Sequence, residues 1–241
     1  MPKAAILYQA GTITSLLGGV AEGDVDLLHV REHGDFGIGT YNGMDGELVL
    51  LDGKFYQIRD EGVVSIPSMS MQTPFVMATF FRSQKIYQLY DISSMKDLRE
   101  RIEYHFASPN TFYGVRIDGE FKNMKMRCIT KQEPPYKPIL QNEKNQTQFQ
   151  VAKAQGTILA FYMPAQLEKI NMPGFHMHFI SKDLKVGGHI YDFESCTGQV
   201  KICRIDRFFY ETLNNDMFLN FDMKKNLSPQ INEFEAGSAS E

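Results

Sequence analysis

Two hydrophobic periods divide this chain. From residue 33, HGDFGIGTYNGMDGELVLLDGKFYQ sets short apolar runs between turn residues. The dipeptides Asp45-Gly46 and Asp52-Gly53 signal hairpins, because both central positions of a type I′ turn need positive φ. A meander with strands near 36–41, 46–51 and 54–58 is expected. PFVMATFF (74–81) and KIYQLY (85–90) supply two further strands. In SMKDLRERIEYHF the period changes. Met95, Leu98, Ile102 and Phe106 recur at helical spacing with charges on the other face. Ser94 followed by Asp97 resembles a capping box, so a helix is predicted over 94–106. A shorter one is predicted over 24–33, DVDLLHVREH, ending at Gly34.

After Pro109 strands resume, as TFYGVRIDG and then EFKNMKMRCIT. The proline-rich KQEPPYKPI cannot hold a central strand and is the best internal joint. FQVAK, GTILAFYMP, GFHMHFIS, GGHIYDF and QVKICRIDRFF all read as strands. This succession predicts an α+β fold, with predominantly antiparallel or mixed sheets in two β-rich halves and a few short helices. The halves are placed at about 1–150 and 151–225, the second carrying the histidines discussed below. Residues 226–241, acidic and rich in small side chains, form a tail expected to be mobile.

Composition narrows the function classes. The 241 residues are 43% hydrophobic and 22% charged, with a net charge of −4, enough for a well-buried core. That balance lacks the basic excess a phosphate backbone demands, so no nucleic-acid partner is expected. No stretch approaches the ~18 uninterrupted apolar residues of a membrane span. The apolar run from Ala4 to Tyr8 is too short for a secretory signal. Cys128, Cys196 and Cys203 show no CxxC spacing and read as buried small apolar residues. A cytoplasmic location follows as the expectation.

The candidate chemistry lies in GFHMHFISKDLKVGGH (174–189), which holds three of the six histidines. On a strand, His176 and His178 point to one face and Met177 to the other. Gly187 and Gly188 permit a tight return, and His189 then opens the next strand. If the two strands pair, three imidazoles converge. Three nitrogen donors on a rigid sheet suit Zn²⁺ with a fourth position left for water or substrate, although copper, nickel, cobalt and iron accept imidazole too. Cys196, seven residues past His189, is a conceivable fourth ligand of a closed site. A second pair, His29 and His33 in HVREH, shares a helix face by its i, i+4 spacing. Val30 stands where a zincin has glutamate, and this pair reads as a solvated helix face.

With the histidines placed, LYQAGTITSLLGG (7–19), the stretch 33–57, FYGVRIDGEFKNMKMR (112–127) and GFHMHFISKDLKVGGHIYDF (174–193) together resemble the acetolactate decarboxylase family, in order from about residue 5 to about 205. The resemblance implies a usually dimeric bacterial enzyme that converts 2-acetolactate to acetoin and carbon dioxide. It places the zinc triad on His176, His178 and His189. It places active-site residues on Glu47 of the GxDGE motif, Arg127 of KMR and Thr40 of GIGT. A further glutamate falls near the C-terminus, on Glu235 or, as the alternate, Glu233.

By this resemblance, zinc stabilises the enediolate left by carbon dioxide. Arg127 holds the substrate carboxylate in its planar fork. Glu47, on a strand face with Val49 and Leu51, protonates the enediolate; apolar neighbours would keep part of it protonated near neutral pH. Glu235 supports or shares that transfer, and Thr40 contributes a hydroxyl hydrogen bond. Two rivals use the same donors: a zinc hydrolase, and a non-enzymatic cupin-like metal-binding β-domain, for which Asp183 is the nearest acid after the HxH.

Overall fold

The computed structural model describes residues 4–139, 145–224 and 227. Glu233, Glu235 and nearly all of the 226–241 tail lie outside the described residues. In chain order the strands are β1 (Ile6–Ala10), β2 (Val25–Asp26), β3 (Phe36–Thr40), β4 (Glu47–Leu51), β5 (Lys54–Arg59), β6 (Val63–Ser65), β7 (Gln72–Thr73), β8 (Val76–Thr79), β9 (Lys85–Ile92), β10 (Phe112–Ile129), β11 (Gln146–Met163), β12 (Gly174–Ser181), β13 (Gly187–Asp192), β14 (Ser195–Ile205) and β15 (Arg207–Glu211). The helices are α1 (Ile13–Leu17), α2 (Leu27–His33), α3 (Met95–Glu103) and α4 (Asp216–Leu219). The fold is α+β, as the hydrophobic pattern predicts.

Two large sheets carry the described strands apart from β2 and β7, which pair with each other as a small antiparallel ribbon. One runs β15-β1-β8-β3-β4-β5-β6, the other β11-β12-β13-β10-β14-β9. Pairing is antiparallel except between β1 and β15, which run parallel from Ile6 opposite Arg207 to Ala10 opposite Glu211. Asp206 alone separates β14 in one sheet from β15 in the other, so the chain crosses between the sheets at a single residue.

Side-chain alternation turns these sheets into layers. Along β4, Leu48 and Leu50 join the core containing Leu27 and Val30 of α2. Val49 joins a different core, shared with Phe161, Ile180 and Ile205 of the second sheet. Along β12, Met177 and Phe179 pack with Leu98 and Ile102 of α3. The order is therefore helix, sheet, sheet, helix, with a buried layer between the sheets. Each fully buried Leu, Ile or Phe in that layer contributes roughly 1.5–3 kcal/mol. Glu47 is in phase with Val49, and His176 and His178 are in phase with Ile180. Strand phase alone therefore delivers all three polar groups into the apolar layer.

Local chemistry explains most boundaries. The Asp26 side chain accepts the His29 N–H and caps α2. In α3 the Ser94 hydroxyl accepts the Asp97 N–H, and the Asp97 carboxylate accepts from Ser93. The helix stops at Glu103, one turn before the predicted end. Asp52 and Gly53 both have positive φ, 51° and 76°, as a type I′ hairpin requires. The other dipeptide differs: Asp45 has φ −77° and only Gly46 is positive, at 80°. A short 3-10 turn over Asn42–Met44 lengthens that connection, so a two-residue turn is not needed.

The largest departure concerns strand length. TFYGVRIDG and EFKNMKMRCIT are one strand, β10, and FQVAK with GTILAFYMP are one strand, β11. Gly119, which reads as a break, pairs with Gly156 on one side and Gly198 on the other. A Cβ on Gly119 would lie 2.6 Å from the Thr197 carbonyl oxygen. These glycines admit close passage of three long strands rather than a turn.

Candidate metal centre

The three histidines meet as their spacing predicts. His178 and His189 are directly opposite in the β12–β13 ladder, and Arg127 of β10 lies opposite His189 on its other side. Imidazole centroids are separated by 5.1 Å (His176–His178), 5.1 Å (His176–His189) and 5.5 Å (His178–His189). One ring nitrogen from each lies within 4.8 Å of the others. Their exposures are only 5%, 1% and 2%. The turn before His189 depends on Gly188, whose φ is +155° and whose Cβ would stand 2.8 Å from the Arg127 carbonyl oxygen.

Burial, followed by the nearby Arg127 charge, pushes the His176 imidazole down to about 3. Burial, then His176, holds His178 well below the usual histidine range, against a smaller opposing effect from its backbone hydrogen bond. Neutral rings keep a lone pair for a cation. The His178 Nδ1 lies 3.1 Å from the Leu48 carbonyl oxygen. Donation there places the proton on Nδ1 and turns the Nε2 lone pair inward. That Nε2 is buried and makes no hydrogen bond among the described residues. A buried nitrogen so oriented, beside two further imidazole donors, fits a late first-row divalent ion.

Facing the triad is a buried ion pair from two different sheets. Arg127 Nη1 donates to Glu47 Oε1 at 3.0 Å, with side-chain exposures of 1% and 3%. The Ile129 backbone N–H donates to the same oxygen at 3.1 Å. Oε2 of Glu47 lies 3.4 Å from His178 Nε2. Glu47 is therefore among charged and polar neighbours as well as the apolar ones its strand phase implies. Thr40 is the cross-strand neighbour of Glu47, and its hydroxyl donates to the Gly46 carbonyl at 2.6 Å. That bond commits the hydroxyl proton, so toward any further group Thr40 acts as an acceptor.

Two candidate ligands lie elsewhere. Cys196 packs into the core beneath α3, on the far face of its sheet from the inter-sheet layer. Asp183 binds the Ser181 hydroxyl in a turn. All three cysteines are free and buried, as their spacing suggests. One residue escaped the sequence reading. Tyr191 lies 5.7 Å from the His189 ring, and the Arg127 guanidinium carbon sits 5.8 Å from the tyrosine centroid. Its signal was present: Tyr191 is two residues past His189, on the same strand face.

Two packed sheets enclosing a buried Glu–Arg pair and three histidines that could hold a metal ion define the class of α+β protein, and comparison with known proteins specifies it. The family model for alpha-acetolactate decarboxylase matches residues 7–225. A Methanosarcina mazei protein named alpha-acetolactate decarboxylase is 33% identical over 230 residues, 95% of this chain and 80% of that one. One of the same name from Bacillus licheniformis is 39% identical over 196 residues, 80% and 78% of the two chains. The crystal structure of alpha-acetolactate decarboxylase from Bacillus subtilis strain 168 superposes with a TM-score of 0.91 at 35% identity, covering 97% of this chain and 100% of that one. The chain belongs to the alpha-acetolactate decarboxylase family, an enzyme family of carboxy-lyases. Among the described residues no helix is long and apolar enough to cross a membrane.

Proposed function

We propose that this chain decarboxylates 2-acetolactate to acetoin and carbon dioxide using Zn²⁺ held by His176, His178 and His189. The observation that carries this is the meeting of three buried imidazoles with the Glu47–Arg127 pair in one buried layer. When bound, the metal supplies a Lewis acid for the charge that builds on the substrate's ketone oxygen. Arg127 receives the substrate carboxylate; its planar fork fixes the group, and Glu47 orients the fork through Nη1. Holding the breaking bond perpendicular to the carbonyl plane lets its electron pair enter the neighbouring carbonyl as carbon dioxide departs.

The carbon that loses the carboxylate then takes a proton. Oε1 of Glu47 accepts from Arg127 and Ile129 and Oε2 faces His178. The carboxylate takes up a proton from solvent at Oε2 and hands it to one face of the intermediate, returning to its ion pair with Arg127. Thr40 keeps the Glu47 turn in place through Gly46. Glu235, or Glu233, remains the proposed second glutamate. A homodimer is the proposed assembly, and three free buried thiols suit a reducing cytoplasm.

Metal content together with gas evolution from racemic acetolactate tests this reading. Bound zinc with acetoin and carbon dioxide as products is expected; ester or amide turnover without gas would replace it with a zinc hydrolase. Glu47→Gln keeps size and hydrogen bonding but removes the transferable proton. Metal is expected to stay bound while acetoin formation falls by roughly 10²–10⁴-fold, the usual span for a general acid. Removing one partner of a buried ion pair also costs up to about 3–5 kcal/mol, so thermal unfolding should be followed in parallel. Unchanged stereochemistry at an unchanged rate would assign the proton to another group.

A further inference from the structure

The HVREH pair lies on a partly solvated helix face, as its spacing suggests, but it also meets other elements. His29 and His33 project from α2 toward the edge where β1 and β15 run parallel, and both are half-buried. His29 Nε2 lies 3.0 Å from Glu211 Oε2, a residue 182 positions away in sequence. The His33 ring stacks on Tyr8 of β1, with centroids 4.1 Å apart and planes 5° from parallel. The two imidazoles are 4.8 Å apart at 67°. The Tyr8 hydroxyl donates to the same Glu211 oxygen at 2.7 Å. One donor atom from each of His29, His33 and Glu211 lies within 4.8 Å of the others.

We propose that His29, His33 and Glu211 form a second cation site, separate from the catalytic triad, which takes a late first-row divalent ion, zinc foremost. Two imidazoles one helical turn apart plus a carboxylate from another element make a nitrogen–nitrogen–oxygen donor set suited to zinc, nickel or cobalt. The outer contacts of such a site are present. Tyr8 orients the carboxylate by its hydrogen bond and the His33 ring by stacking, as outer partners orient metal ligands. Asp24 and Glu32 add negative field around the cluster. Val30 occupies the position where a zincin has its general base, so the ion has a bracing role rather than a hydrolytic one. It joins α2 to β15, and hence an early helix to the strand that closes the first sheet. An ion that binds only the folded chain raises its stability by mass action.

The test uses the enzyme with its triad already loaded, titrated with zinc chloride and followed by calorimetry and thermal unfolding. Uptake of a second equivalent and a rise of a few degrees in Tm are expected. The double variant His29→Ala, His33→Ala should lose both responses while keeping acetolactate turnover. Glu211→Gln preserves an acceptor for Tyr8 and should weaken the second uptake without loss of fold, which covers failure of the double variant to fold. His176→Ala should still bind an ion at α2, which separates this site from the catalytic one. Absence of a second equivalent in the parent enzyme, or its persistence in the variants, overturns the proposal.

Discussion

Replacing His176 by alanine is expected to remove metal from the triad and acetoin formation together. The ring is 5% exposed and has its donor nitrogen within 4.8 Å of the other two, so its loss removes one of the three clustered imidazole donors. Loss of an outer-shell partner alone costs metal sites about 10–100-fold; loss of a direct ligand from a three-ligand site should exceed that. Elemental analysis of the triad metal and acetoin assays on one preparation check the coupling. Full activity in a chain whose triad has lost its metal would end the zinc assignment. Loss of activity with metal retained would shift His176 from ligand to substrate contact.

Arg127→Lys is expected to lower kcat/KM by on the order of 10²–10³-fold, the scale of losing one well-aimed electrostatic donor. Charge is kept, so the buried Glu47 carboxylate retains a cationic partner and the fold should survive. What is lost is the fork. A lysine ammonium is a point charge with no planar bidentate face. It cannot hold Glu47 and a substrate carboxylate in one plane, nor lie beside Tyr191 as the guanidinium does. Most of the loss should fall on kcat, because the geometry serves the bond-breaking step. Steady-state kinetics with circular dichroism as the folding control would decide it. A variant with unchanged kcat/KM would remove Arg127 from the site.

The parts of this centre differed in how far they could be read before the fold was known. His176 and His178 were legible because alternation along a strand is a property of a few consecutive bonds. His189 was legible because Gly187 and Gly188 announce a return, and the observed His178–His189 register follows from it. Glu47 and Arg127 are another matter. They are 80 residues apart and sit on different sheets, and only likeness to a family suggested that they share a site. Gly119 misled for the same reason: a lone glycine reads as a break until Gly156 and Gly198 are seen beside it. The parallel β1–β15 pairing, which brings Glu211 to His29, had no local signal either.

The sequence by itself determined which side of each element its polar residues would take, because helix and strand periods act over a handful of neighbouring residues. It also determined the hairpin at Asp52-Gly53, the end of α2 at Gly34 and the Ser94 cap of α3. Only the tertiary structure decided which of those sides would face each other. Stacking two sheets buries apolar faces with little regard to sequence distance, and the polar groups carried in with them must then find partners within the same layer. That pressure placed Arg127 on Glu47, and the two of them against the imidazoles.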